Sequence, residues 1–425
     1  MTPNPLIAHR RSLQLREVEL GGLELPYYFG SGCMDEIAEK IEELGADKIF
    51  IVTDAEVLRL HGDKLLFALG NRTPVVVLSG QPGESLKSLE RLALHIEQVL
   101  RDGATRRSLV VSFGGGVPGN LAGVVASLLF RGVRLVHIPT TTVSAMDSVL
   151  SLKQAINSPF GKNHIGSYYR PVGIYADVSL FETLPSRELR SGLGEMSKNC
   201  LAILPELIEP MKKILASGDF GGVETLLWLL DASIRAKCLV TREDPHEKGA
   251  GLALEYGHTV GHAIELLDHR QRGNVAISHG EAVALGMLVA ARVSRARGWL
   301  SQAKVDTHDD IVAGLGVAPC LPDGVSGDEI LRLIKDDNKR GYLPVGPDEA
   351  PFVLLRELGV PAVTGTLPLV PVGFAEVAAA LEELAVDLDR AGPGRRRLRP
   401  RNQLGVRWPE PRADKWCYGV RGLSL

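Results

Sequence analysis

The chain has 425 residues, long for one hydrophobic core, so two domains are expected. Apolar residues make up 45% and charged residues 23%, an ordinary globular composition with ample material for a core. A formal net charge of −3 gives no global attraction to nucleic acid or to an anionic membrane.

The opening stretch, MTPNPLIAHRRSLQLREVEL, has no apolar core behind a basic start, which argues against a signal peptide. No apolar run approaches the length that spans a bilayer. Five cysteines, Cys33, Cys200, Cys238, Cys320 and Cys417, are scattered and never form C-x-x-C. That pattern fits reduced thiols in the cytoplasm, not a disulfide framework or a thiolate zinc site. Four short apolar runs then read as buried strands: KIFIVTD (48–54), PVVVLSG (74–80), SLVVSFGGG (108–116) and RLVHIPTTT (134–142). Between them, MDEIAEKIEELG and SLKSLERLALHIEQVLRDG carry helical apolar spacing with glycine stops. Strands alternating with helices predict a largely parallel sheet covered on both faces. From about residue 185 the strand signals fade, and four long segments look helical, among them LALEYGHTVGHAIELLDH and HGEAVALGMLVAARVSRARG. The expected architecture is an α/β domain over 1–184, an all-α domain over 185–390, and an irregular basic tail rich in Pro, Gly and Arg over 391–425.

Three features carry chemistry. SFGGGVPGNLAG holds Gly114-x-Gly116-x-x-Gly119 between a strand and a helix expected to begin near Asn120. Glycines there let a pyrophosphate approach the backbone at a helix N-terminus. The usual acidic residue is missing from the end of the next strand, where HIPTTT stands, so Asp54 on an earlier strand is the candidate for a ribose. Next comes a polar cluster, Asp147, Lys153, Gln154, Asn157, Lys162 and Asn163, just beyond the carboxyl end of a strand. Open α/β sheets place ligands there, and lysines hold phosphate or move protons; a solvated loop is the bland alternative. Finally, Glu195, His258, His262 and His279 lie on three helical segments. Histidines four residues apart share a helix face, and a His₂Glu set leaves a metal position open to a substrate oxygen. Spacing alone does not choose among His246, His258, His262, His269 and His279.

Taken in order, GESLKSLE, GGGVPGNLAG, PTTTVSAMDS, GKNHIGSYYRP, LPSRELRSGLGEMSK, GHTVGHAIE and HGEAVALGM resemble the blocks of the sugar-phosphate cyclase family, whose best-known member is dehydroquinate synthase. The resemblance runs from about Asp54 to about Arg340. It implies an NAD-binding α/β domain, a helical metal-binding domain and a site in the cleft between them. It implies metal ligands at Glu195, His258 and His279, and an acid/base role for His262. NAD contacts would fall on Asp54, Glu84, Lys87, Gly116, Val117, Pro118, Gly119 and Asn120. They would continue at Thr140, Thr141, Ser151, Leu152, Lys153, Lys162 and Asn163. Lys153, Lys198 and Lys237 would work on the substrate, with Lys339 less closely matched. The metal would be one divalent ion, Zn or Co, and the assembly a homodimer.

Two departures bear on the substrate. Where dehydroquinate synthase has an arginine for its substrate carboxylate, this chain has Gly251; where it has an asparagine, this chain has Glu255. A lost guanidinium and a gained carboxylate both disfavour a sugar acid. The resemblance therefore implies a sugar phosphate without a carboxylate, glucose 6-phosphate, with Glu255 as an acid/base group or hydroxyl anchor. Asn120, an aspartate in dehydroquinate synthases, fits the same branch. The rivals are a cyclase for another sugar phosphate, a metal-dependent polyol dehydrogenase, and a non-catalytic binding protein.

Overall fold

A computed structural model describes residues 12–20, 22–273 and 277–390. The basic tail, with Cys417, lies outside the described residues. The chain starts with an antiparallel hairpin of β1 (Gln14–Leu20) and β2 (Leu23–Gly30). Then α1 (Met34–Glu43) leads to β3 (Ile49–Asp54), α2 (Ala55–Leu69) to β4 (Val75–Gly80), and α3 (Leu89–Arg101) to β5 (Leu109–Gly114). Next come α4 (Gly116–Leu128), β6 (Arg134–Pro139) and the short α5 (Thr142–Met146). A second hairpin, β7 (Lys153–Ser158) with β8 (Gly161–Tyr168), stands outside the main sheet, and β9 (Gly173–Asp177) returns to it.

The main sheet runs β1-β2-β9-β6-β5-β3-β4, and every neighbouring pair from β2 onward is parallel. Its middle is buried on both faces, as β5 shows: LVVSFG is buried at every position. On α1, Met34, Ile37, Ala38 and Ile41 form the apolar stripe that covers one face. The chain passes from β3 outward to β4 and then back across β3 to β5. That reversal opens a crevice at the carboxyl ends of β3 and β5, where Asp54 and the glycine turn stand.

The helical half holds α6 (Ser186–Ala202), α7 (Ile208–Ser217), α8 (Val223–Thr241), α9 (His258–Arg272) and α10 (His279–Ala296). It continues with α11 (Gln302–Gly314) and α12 (Gly327–Ile334), and closes with α13 (Phe374–Arg390). α10 is its axis, with every residue from Ala282 to Ser294 buried. Two contacts fix α10 at backbone range. A Cβ on Gly280 would lie 2.0 Å from the Ser191 carbonyl oxygen of α6, and one on Gly194 would lie 2.3 Å from the Gly280 carbonyl oxygen. A Cβ on Gly286 would lie 1.9 Å from the Gly257 carbonyl oxygen ahead of α9.

Three features differ from the sequence expectation. The helical half is not helix throughout, because β10 (Glu349–Phe352) pairs with β13 (Val370–Gly373) and β11 (Leu355–Glu357) with β12 (Val360–Pro361). These strands are too short to show a period of two. The helix after the glycine turn begins at Gly116, not near Asn120, since Pro118 is tolerated in a first turn that needs no N–H from it. The LALEYGHTVGHAIE segment is not one helix: Ala250–Glu255 forms a 3₁₀ turn, and Gly257 at φ +81 breaks the chain before α9. Among the described residues no helix is long and apolar enough to cross a membrane.

Candidate active site

Glu195, His258 and His279 converge, with one ligand atom from each lying within 4.8 Å of the others. Glu195 comes from the middle of α6, His258 from the first position of α9 and His279 from the first position of α10. The glycine contacts explain the convergence, since Gly194 and Gly280 immediately neighbour Glu195 and His279, and Gly257 precedes His258. Glu195 Oε1 stands 3.3 Å from His279 Nε2 and 3.6 Å from His258 Nε2. That oxygen is buried and has no hydrogen-bond partner, whereas Oε2 accepts from Lys198 Nζ at 2.6 Å. Both rings are held from behind at Nδ1: His279 by Glu265 Oε2 at 2.8 Å, and His258 by the Tyr256 carbonyl oxygen at 3.3 Å. Histidines oriented through Nδ1 with Nε2 turned to a shared point are the usual second layer of a metal site.

The charges call for the same guest. Burial pushes the Glu195 carboxyl up, but Lys198, His258 and His279 outweigh it and hold it well below the usual range. For His279, burial opposes the charged form, yet Glu195 and Glu265 raise its pKa to about 10. Two carboxylates thus draw a proton onto His279, and a divalent cation meets the same demand with both imidazoles neutral. The donor set of two imidazoles and one carboxylate fits Zn²⁺ or Co²⁺ with a position open.

Around this centre, acids and lysines interleave. Burial pushes the Glu255 carboxyl up, and Lys339, His258, His262 and Lys153 outweigh it, so it is held well below the usual range. Its Oε2 accepts from Lys339 Nζ at 3.3 Å and from Asn338 Nδ2 at 3.2 Å. His262 is on the same face of α9 as His258, with ring centroids 5.2 Å apart, and its Nδ1 meets Asp337 Oδ2 at 3.3 Å. Lys153 Nζ donates to Glu247 Oε2 at 2.7 Å, and Lys237 Nζ to Asp147 Oδ1 at 3.1 Å. Lys237 also lies 3.3 Å from Glu247 Oε1. Burial would lower the Lys237 pKa, but Asp147 and Glu247 prevail and raise it. Among the described residues these carboxylates pair with lysines and histidines and with no arginine. At 251, a side chain would be tight: a Cβ would sit 3.0 Å from Asp244 Oδ2 and 3.0 Å from Glu247 Cβ, so these side chains would have to give by a few tenths of an ångström.

Of the expected NAD residues, Asp54, Glu84, Lys87, the 116–120 turn, Thr140 and Thr141 stand at or just beyond the carboxyl ends of β3, β4, β5 and β6, and Ser151, Leu152, Lys153, Lys162 and Asn163 stand at or just before the β7–β8 hairpin. Asp54 Oδ1 caps α2, accepting from the Glu56 and Val57 N–H groups. Gly116, Val117, Pro118 and Gly119 form the first turn of α4, whose N-cap, Gly115, brings no side-chain cap. Asn120 is tied into the frame, donating to the Gly116 carbonyl and accepting the Ala155 N–H. Thr140 is buried at the end of β6, and Thr141 caps α5 by accepting the Ser144 N–H. Ser151 accepts the Lys153 N–H, and the Leu152 carbonyl accepts the Tyr169 N–H. Asn157 links three others: it donates to Glu84 Oε2, accepts the Asn163 N–H, and gives its own N–H to the Lys87 carbonyl. Lys162 reaches Glu265 Oε1 at 3.5 Å across the cleft. Lys87 is buried and forms no ion pair among the described residues. A buried ammonium beside a helix N-terminus suits a pyrophosphate.

Sequence reasoning missed Glu247, Glu265, Asp337 and the hub role of Asn157. Glu247 takes φ +53, uncommon for a glutamate, in a loop whose letters give no periodic signal. Two of the five candidate histidines drop out: His246 and His269 are exposed and lie outside the cluster.

Residues 77–191 match the 3-dehydroquinate synthase N-terminal family, and residues 192–340 its C-terminal counterpart. The chain belongs to the dehydroquinate synthase-like family of sugar-phosphate cyclases. Within these cyclases it is 44% identical, over 374 residues, to a 2-deoxy-scyllo-inosose synthase of Streptomyces ribosidificus, covering 88% of this chain and 94% of that one. A crystal structure of 2-deoxy-scyllo-inosose synthase complexed with carbaglucose-6-phosphate, NAD+ and Co2+ superposes with a TM-score of 0.81 at 33% identity. That superposition covers 87% of this chain and all of that chain (100%). Another cyclase, ValA (2-epi-5-epi-valiolone synthase) from Streptomyces hygroscopicus subsp. jinggangensis 5008 with NAD+ and Zn2+ bound, shares the fold at 24% identity and TM-score 0.74. It covers 88% of this chain and 99% of its own.

Proposed function

We propose that this chain is a carbon–oxygen lyase that converts glucose 6-phosphate into 2-deoxy-scyllo-inosose with loss of phosphate. That product is the first carbocycle of 2-deoxystreptamine aminoglycoside antibiotics. The observation that carries the reading is the Glu195, His258 and His279 group facing Glu255, with Gly251 where a sugar acid would need its arginine.

In this reading Glu195, His258 and His279 hold one divalent ion. NAD lies along Asp54, Glu84, Lys87, the 116–120 turn, Thr140, Thr141, the 151–153 stretch, Lys162 and Asn163. Bound there, NAD+ supplies a transient oxidation at C4 of the sugar and the ion supplies a Lewis acid to the oxygen concerned. With C4 at the ketone level, the C5 hydrogen is acidic, and its removal expels phosphate from C6. His262, backed by Asp337, presents its other ring nitrogen as a proton carrier. Glu255 stays ionised under Lys339 and is suited to accept a hydroxyl hydrogen bond. Lys153, Lys198 and Lys237 supply positive charge for phosphate and the developing oxyanion. Once C4 is an alcohol again, the ring opens and C6 attacks C1 to close the carbocycle.

Residues 1–184 are taken as the NAD-binding unit and 185–390 as the metal- and substrate-binding unit. The protein is expected to be a cytoplasmic homodimer. The test is incubation with glucose 6-phosphate, NAD⁺ and Co²⁺ or Zn²⁺. Phosphate should be released, a product of the mass of 2-deoxy-scyllo-inosose should form, and NADH should not accumulate. NADH rising in step with substrate loss would instead identify a polyol dehydrogenase. Turnover of sedoheptulose 7-phosphate in preference would identify a different cyclase.

A further inference from the structure

The amino-terminal ends of the parallel strands, away from the glycine turn, carry a second concave feature. Its cavity of about 370 Å³ is lined by Arg106, Arg107, Arg134, Arg170, Gly132 and Tyr169, with neighbours. Arg106 and Arg107 immediately precede β5, Gly132 and Arg134 stand at the start of β6, and Tyr169 and Arg170 precede β9. The six residues of β5 separate this end from the glycine turn by roughly 20 Å. The site is therefore distinct from the crevice that takes NAD and the sugar.

Four arginines line this cavity, and none has a carboxylate within ion-pair distance among the described residues. The nearby Asp47 accepts from the Thr105 and Ser108 hydroxyls, while the charge of Arg107 helps keep it ionised. Three of the four arginines are already anchored. Arg106 donates to the Phe130 carbonyl at 2.9 Å and Arg170 to the Glu24 carbonyl at 3.0 Å, and Arg134 donates to the Leu44 and Arg107 carbonyls. A guanidinium has five N–H donors, so each keeps others to offer. One wall is a turn in which Phe130, Arg131 and Gly132 all take positive φ, at 50, 69 and 125 degrees. Two of the three are not glycine, and such conformations persist where the surroundings or a function hold them.

Anchored, unpaired guanidiniums around a cavity are a preorganised anion receptor. Four positive charges exceed what a single phosphate neutralises. We propose that this basin is a second anion site, taking a compact di- or triphosphate through Arg106, Arg107, Arg134 and Arg170. Nothing in the proposal depends on the reaction at the metal centre.

The probe is pyrophosphate, titrated calorimetrically into the full chain at low and moderate salt. A binding event that weakens as salt rises is expected. Arg107→Glu and Arg170→Glu alter exposed side chains outside the catalytic cleft. Each should weaken that event at least tenfold while glucose 6-phosphate turnover stays unchanged, which also reports correct folding. Arg106→Gln is the milder variant should either charge reversal fold poorly. Lys153→Ala, which weakens phosphate binding in the cleft, should leave the event intact. An event that is absent from the parent chain, unaffected by the arginine variants, or abolished by Lys153→Ala would overturn the proposal.

Discussion

Glu255 and His262 sit close to the metal-ligand group, yet different partners hold them. Glu255 is gripped by Lys339 and Asn338, His262 by Asp337. Removing the Glu255 charge while keeping its shape tests chemistry apart from metal binding. Glu255→Gln should lower kcat by about 10² to 10⁴, the usual worth of a positioned acid or base, with the metal content unchanged. Full activity in that variant would place Glu255 outside the mechanism. His258→Ala should lose metal and turnover together, as elemental analysis and phosphate release would report, because it removes a proposed ligand whose Nε2 faces Glu195. Glu247→Gln should lower turnover by weakening the hold on Lys153 and Lys237, with less effect on metal content. At this scale the sequence was legible only in part. Five histidines were equivalent by spacing, and the family resemblance singled out the two that now face Glu195. Glu247 and Asp337 were invisible because their partners, Lys153 and His262, lie 94 and 75 residues away along the chain.

Among the elements, the glycine crossings matter most. α6 and α10 touch backbone to backbone at Gly194 and Gly280, beside two of the three proposed ligands. Gly280→Ala would put a methyl group 2.0 Å from a carbonyl oxygen, an overlap relieved only by moving the helices apart. Overpacking of this kind costs about 1–3 kcal/mol or more. The variant should therefore lose thermal stability and at least tenfold in metal affinity, read from unfolding curves and a metal titration. Four parallel strands, β3 to β6, were legible, and β3 and β5 show why: both faces are buried, which makes them nearly continuous apolar runs; β9, GIYAD, is as buried but only five residues long, and it went unread. β7 and β8 were not, because they carry the polar residues of the site: KQAINS and GKNHIGSY read as a loop. β1 and β2 escaped because β1, QLREVEL, carries charged residues on the sheet's outer edge, where only part of the strand is buried.

For the whole molecule, acid should be the weak side. His137 and His308 are buried, and burial pushes each pKa from 6.5 down to about 4. The unfolded chain then binds these protons before the folded one does, so their contribution is full above pH 6.5 and is lost as pH falls toward 4. The loss is on the order of a few kcal/mol per group. Melting temperature measured against pH should fall through that window. His308→Gln keeps an acceptor for Tyr256 and a donor for the Lys304 carbonyl, so it should flatten the fall. A homodimer would run at about twice 45.8 kDa by light scattering.

Where bare main chain rests on main chain, no rotamer can turn to loosen the joint. α6, α9 and α10 are clasped in that way, so their mutual placement is fixed by backbone contact. Across the crevice from them the contacts are made by side chains instead, Lys153 with Glu247 at 2.7 Å and Lys162 with Glu265 at 3.5 Å. The three candidate donors thus inherit their spacing from main chain and not from side-chain packing that could rearrange.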